Sequence, residues 1–156
     1  MTTVGGVDTP GAVTLVVVDA AQRPLLVADA ADERAAANGA SEVLRSRCRE
    51  TGRGAPYGLL VSPETIRIFN GAGPEPLLSL ATRDVLAAYH PSGRSWRHTP
   101  RYLITLVEVW LSDLAWGWRG GVVPGADSME AIGLADKLRA AAPSHVHPDE
   151  QGGLRP

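Results

Sequence analysis

Cysteine occurs once in the 156 residues, at Cys48, and lysine once, at Lys137. A single cysteine excludes an internal disulfide and fits a reducing compartment, so a cytoplasmic protein is expected. No apolar stretch approaches the ~20 residues that a membrane-spanning helix needs, and no membrane role is expected. The opening "MTTVGGVDTPG" lacks the basic-then-apolar order of a signal peptide. No glycine-rich phosphate loop or nucleophile elbow is present, because "GGVVPG" and "GRGAPYG" have the wrong spacing. The formal net charge is only −2, which gives no global attraction to nucleic acid or anionic lipid. Fourteen arginines stand beside the one lysine, a bias that marks a GC-rich bacterial coding sequence.

What is present is ordinary for one folded domain: 44% apolar and 21% charged residues, enough for a single core. Residues 1–11 are rich in Gly, Thr and Pro and read as a flexible N-terminus, ahead of a single domain over 12–142. "AVTLVVVD" (Ala12–Asp19) and "LLVA" (Leu25–Ala28) read as a hairpin joined by "DAAQRP". Ala36, Ala40, Val43, Leu44 and Cys48 then fall at helical spacing, with Ser41 a candidate N-cap and Gly52 a candidate stop. "YGLLVS" (Tyr57–Ser62) and "IRIF" (Ile66–Phe69) read as strands, and "NGAGPEP" as a turn.

The C-terminal half reads as helical. Thr82 is expected to cap a helix over Arg83–Tyr89 that ends at Pro91. Thr99 followed by Pro100 is an N-cap hydroxyl with proline at the first helical position. Leu103, Leu106, Val107, Trp110, Leu111 and Leu114 follow with a sustained helical period. Asp127 and Glu130 suggest a capping-box variant ahead of a last helix, Ser128–Ala141. The segment 143–156 is polar and proline-bearing and reads as a disordered tail. The pattern is a mixed α/β domain: a core over 12–90 and a helical extension over 99–142.

The hairpin ending in an acidic residue, the helix, and then "YGLLVSPETIRIF" (Tyr57–Phe69) resemble the PD-(D/E)XK nuclease superfamily. The likeness is to the N-terminal domain of type I restriction-enzyme R subunits and to related small bacterial proteins. It implies a restriction-endonuclease-like mixed sheet with flanking helices, and covers roughly residues 10–140. "PLLVADAA" (Pro24–Ala31) parallels the family's strand carrying a glutamate and, two positions on, a lysine. Those positions are Asp29 and Ala31 here, and Pro10-Gly11 stands where the family has Pro-Asp. Active members use carboxylates to hold Mg²⁺, which activates a water and stabilises the transition state. Loss of an electrostatic group such as the lysine costs ~10²–10³ in rate, by analogy with oxyanion donors. The leading expectation is therefore a degenerate, non-catalytic member acting as a macromolecular interaction module, with a protein as partner and no cofactor.

Two alternatives stay open. One is an active Mg²⁺-dependent DNA endonuclease using Asp29 with Asp19 or Glu33; Asp8 and Asp32 are further nearby carboxylates. The other is non-catalytic nucleic-acid binding through Arg45, Arg49 and Arg53, or through Arg94, Arg97 and Arg101 around Trp96. Arg45 and Arg49 share a helix face as i and i+4, and Arg47 is expected to point elsewhere. Trp110 is expected in the core, with Trp116 and Trp118 near a helix end as candidate contact anchors. His145, His147, Asp149 and Glu150 form a possible metal cluster in the tail, disfavoured by the absence of a cysteine partner. His90 is expected to favour a helix end through the dipole, and Cys48 to serve packing.

Overall fold

The computed structural model describes residues 2–4, 8–9, 12–32, 34, 36, 39–50, 54–70, 73, 75–91 and 99–141. Its organising element is one mixed sheet with helices on both faces. Strands β1 (Thr2–Val4) and β2 (Asp8–Thr9) both pair antiparallel with β3 (Ala12–Val18). β1 and β2 lie within the segment read from sequence as a flexible N-terminus. The sheet continues through β4 (Pro24–Ala31), β5 (Tyr57–Val61), β6 (Thr65–Asn70) and β7 (Pro76–Ala81). Only β4 and β5 run parallel, and α1 (Ala40–Glu50) makes the crossover between them.

The β3–β4 connection is held by Asp19. Its Oδ1 accepts from the backbone N–H of Ala21 at 2.8 Å and of Arg23 at 2.9 Å, a side chain imitating a turn. Strand β4 runs three residues further than its apolar text suggests. Ala28, Ala30 and Ala31 have weak strand propensity, but Ala28 and Ala30 are held by pairing on both sides, with β3 and β5, and Ala31 by pairing with β3. Asp29 is consequently inside the strand and not at its end.

Side-chain alternation sorts β4 between two cores. Leu26, Ala28 and Ala30 join the larger one, built with Leu15, Val17, Leu59, Val61, Ile66 and Ile68. Helix α2 (Thr82–Leu86), a 3₁₀ turn (Ala87–Tyr89), α3 (Pro100–Trp116), α4 (Ala126–Ala131) and α5 (Leu134–Ala141) cover this face. Trp110 of α3 is fully buried there, and its Nε1–H donates to the Pro124 carbonyl at 2.8 Å. Val27 and Ala31 face the opposite way, into a smaller core with Leu44, Cys48, Ala55, Leu60 and Phe69, beneath α1.

The cap of α3 forms as its sequence predicts, with Thr99 Oγ1 accepting from the Tyr102 N–H and Gly117 ending the helix in the left-handed region. Thr82 departs from expectation. It lies inside α2, and its hydroxyl donates to the Ser62 carbonyl at 2.7 Å, tying α2 to the end of β5. The expected single last helix is split. Gly133 adopts φ +81°, separating α4 from α5, and Gly125, not a capping box, precedes α4. Val43 is exposed, because Leu44 and Cys48 alone carry the buried stripe of α1.

Gly58 on β5 lets α1 approach the sheet. A Cβ built there lies 3.0 Å from Cys48 Sγ and 3.2 Å from Leu44 Cδ2. Gly58→Ala is therefore expected to push α1 outward and lower stability by about 1–3 kcal/mol, as overpacking does. Urea unfolding checks this. A midpoint equal to that of the wild type would mean the helix is not seated through this contact.

Candidate functional site

The face of β4 under α1 carries Asp29, flanked along the strand by Val27 and Ala31. Across the sheet, one row reads Thr14 on β3, Asp29 on β4, Leu60 on β5, Arg67 on β6 and Ser79 on β7. Asp29 is 2% exposed, so its carboxylate needs partners. Thr14 Oγ1–H donates to its Oδ1 at 2.7 Å, and Arg47 Nη1 donates to the same oxygen at 3.0 Å. Arg47 thus reaches down from α1, one position before Cys48, and points elsewhere than the exposed Arg49, as its spacing suggested.

Burial dominates the electrostatics of this site. It pushes the Asp29 carboxyl above its ordinary 3.8, and the Thr14 hydrogen bond and the Arg47 charge only partly offset this. The 3.0 Å ion pair and the raised value are consistent: the guanidinium replaces less solvation than the carboxylate lost. Burial, with the Asp29 charge nearby, also pushes the Cys48 thiol up to about 11. A thiol so placed is not a nucleophile near neutral pH, and packing accounts for it.

The other candidate carboxylates do not gather around Asp29. Asp19 closes the far end of the hairpin, where the Arg23 backbone N–H leads in holding its carboxyl below the usual value. It lies five positions beyond Thr14, the partner of Asp29, so at ~3.3 Å per strand residue it is roughly 16 Å away. One ion bound at about 2.0–2.6 Å per ligand cannot bridge them, and the Asp19–Asp29 pair is withdrawn as a catalytic set. Asp32 is exposed just beyond β4. Glu33 and the side chain of Asp8 lie outside the described residues, as do His145, His147, Asp149 and Glu150. Among the described residues no three or more His, Cys, Asp or Glu side chains come together. Among the described residues, the groups that meet Asp29 are therefore a hydroxyl and the Arg47 guanidinium, a charge-balancing cation that belongs to the chain itself.

Of the candidate binding arginines, Arg45, Arg49 and Arg101 are among the described residues. Arg49 is exposed and donates to Ser46 Oγ at 3.2 Å, and Arg45 is half-buried on the same helix. Arg101 is exposed in the first turn of α3. Arg53, Arg94, Trp96 and Arg97 lie outside the described residues.

A second polar cluster was not anticipated from sequence. Asp113 is buried in α3 and accepts from the Tyr89 hydroxyl at 2.6 Å and from the Arg119 backbone N–H at 3.3 Å. Arg119 also stacks its guanidinium 5.0 Å from the Tyr89 ring centre, and the Trp118 ring lies 6.4 Å from the Tyr89 ring, centre to centre. Burial and the Asp113 contact push the Tyr89 hydroxyl upward, so it stays a donor. His90 stands at the end of the 3₁₀ turn, where its Nδ1 hydrogen-bonds the Tyr102 hydroxyl at 2.6 Å. The one signal for the Asp113 cluster is an acidic residue two positions from Leu111 and one from Leu114, on an otherwise apolar flank. Beside it, Trp116 and Trp118 are 51% and 54% exposed.

Compared with family models, with curated proteins and with solved structures, the chain matches none. Among the described residues no helix is long and apolar enough to cross a membrane.

Proposed function

We propose that this chain is a catalytically degenerate, nuclease-like α/β domain that works as a protein-interaction module in the cytosol of a bacterium. The observation that carries the reading is the engagement of Asp29: its Oδ1 is taken by both Thr14 and Arg47, and the residue is buried. Ala31, at the position of the lysine in the resemblance, is buried in the small core and has no polar atom to offer. The order on which the resemblance rests recurs as the β3–β4 hairpin, the α1 crossover and the parallel β5. A buried arginine–carboxylate pair does structural work where the family would hold a metal, which leaves the surface to carry function. The half-exposed Trp116 and Trp118 are the side chains best suited to anchor a protein partner, since tryptophan supplies much of the energy at interface centres.

The test is cleavage of supercoiled and linear DNA by the purified full chain with Mg²⁺ or Mn²⁺. The expected result is activity no greater than that of Asp29→Ala. Metal-dependent cleavage that vanishes in Asp29→Ala overturns the reading. DNA binding that weakens steeply as salt rises, without cleavage, would replace it with the nucleic-acid-binding alternative.

A further inference from the structure

Two carboxylates are buried among the described residues, Asp29 and Asp113. Asp113 stands in the last turn of α3, and both partners of its side chain, Tyr89 and Arg119, lie outside that helix. The two halves of the cluster differ. The Tyr89 hydroxyl donates at 2.6 Å, whereas the Arg119 backbone N–H stands at 3.3 Å and Arg119 Nη1 at 3.7 Å. The Arg119 side chain is 34% exposed, so solvent already reaches its half. The chain between α3 and Arg119 turns tightly. The Gly117 N–H donates to the Asp113 carbonyl, and the Gly120 N–H to the Gly117 carbonyl. Gly117 and Gly120 take φ +61° and +77°. Trp118 is carried between them, exposed, with its ring beside that of Tyr89.

We propose that Asp113 is the fixed half of a latch: Arg119 closes on it, and the closed latch holds Trp118 in one orientation beside Tyr89. A carboxylate taken out of water must be paired, and this one is paired only across segments. Its work is therefore to join the 3₁₀ turn and the turn after α3, and not to support α3 itself. Arg119 adds a second hold by stacking its guanidinium on the Tyr89 ring. When Arg119 is withdrawn, Asp113 keeps the shorter bond to Tyr89, so α3 and the 3₁₀ turn stay joined while the turn from Gly117 to Gly120 is released. The glycines at its two ends then let it swing. Asp113 and Arg119 are on this account positioning residues for Trp118. An indole fixed in advance removes part of the ordering cost of docking. The use of the latch, though not its existence, rests on the reading of Trp118 as an anchor for a protein partner.

Nitrogen relaxation of the four tryptophan indole N–H groups in the full chain tests it, with Trp118 assigned through Trp118→Phe. In the wild type the Trp118 indole is expected near the order parameter of rigid backbone, ~0.85, and in Arg119→Met below ~0.6. Trp110, bonded to the Pro124 carbonyl, is the internal control and should stay ordered in both. A far-UV spectrum equal to that of the wild type shows that Arg119→Met remains folded. Asp113→Asn should loosen Trp118 as well, and the double variant no further than either single change, because one latch is broken in all three. A Trp118 already mobile in the wild type overturns the proposal. So does one that stays ordered in folded Arg119→Met, or loosening that adds up across the two changes. No partner is needed for these measurements. A chain with an ordered, latched Trp118 that captures no protein would therefore remove the docking reading and leave the latch standing.

Discussion

Ala31→Lys is expected to lower stability by on the order of 3 kcal/mol, and to yield no metal-dependent cleavage. This is the substitution that would put the family's lysine back into the strand. Ala31 is 1% exposed and packs with Val27, Leu44, Cys48, Ala55, Leu60 and Phe69, so four methylenes and an ammonium must enter a filled space. The lysine can relieve part of the charge cost by reaching past the strand end toward the exposed Asp32, which is why the expected loss stays below that of a fully buried cation. For a chain of this length the loss corresponds to a fall in Tm of roughly 6–12 °C. Denaturant unfolding with an unchanged slope would show that stability, and not the compactness of either state, has moved. Wild-type stability in Ala31→Lys would mean that the pocket under α1 is open. A gain of Mg²⁺-dependent cleavage would mean that Asp29 can shed Arg47 and hold a metal, and the interaction-module reading would fail.

Much of the fold can be read from local chemistry. Thr99-Pro100 announces α3, and the stripe from Leu103 to Leu114 gives the face that covers the sheet. The hairpin, α1 and the β5–β6 pair follow from apolar period and turn residues. β7 does not, because "PLLSLA" follows a Gly- and Pro-rich turn and is half-wet on both faces, as an edge strand is. The break between α4 and α5 depends on Gly133 taking a positive φ, which a glycine permits but does not require. The site was less legible than the fold. That Asp29 was chemically special could be seen from an acidic residue in apolar text. What it binds could not, because Thr14 reaches it through hairpin register and Arg47 through the packing of a helix eighteen residues away. Arg47 carries no periodic signal: it sits beside the buried stripe of Leu44 and Cys48, where a long side chain can turn inward or outward.

Arg47→Met is expected to destabilise the protein by about 3 kcal/mol at neutral pH, the low end of the range for stranding a buried charge. The low end applies because the Arg47 side chain is 22% exposed, so some solvent already reaches the pair. Methionine keeps most of the apolar stem, and the loss therefore reports the unpaired Asp29 carboxylate. Removing both charges, as Asp29→Asn with Arg47→Met, should cost less than the two single changes added together, because the pair is coupled. The pH dependence gives a second, independent sign. The folded Asp29 carboxyl already titrates above its unfolded value of 3.8, so the folded state binds that proton more tightly than the unfolded chain. Its cost to stability is full above the folded value and is relieved as pH falls through it toward 3.8. Without Arg47 the carboxyl rises further, and the deficit of Arg47→Met should shrink between neutral pH and about pH 5. Asp19 works in the opposite sense, since its lowered value makes stability fall only below 3.8, outside that window. Urea midpoints of wild type and variant across this range measure the effect. A deficit under ~0.5 kcal/mol, or one that grows on acidification, would identify the pair as a surface salt bridge. The carboxylate would then be accessible, and the case for a closed, non-catalytic site would be lost.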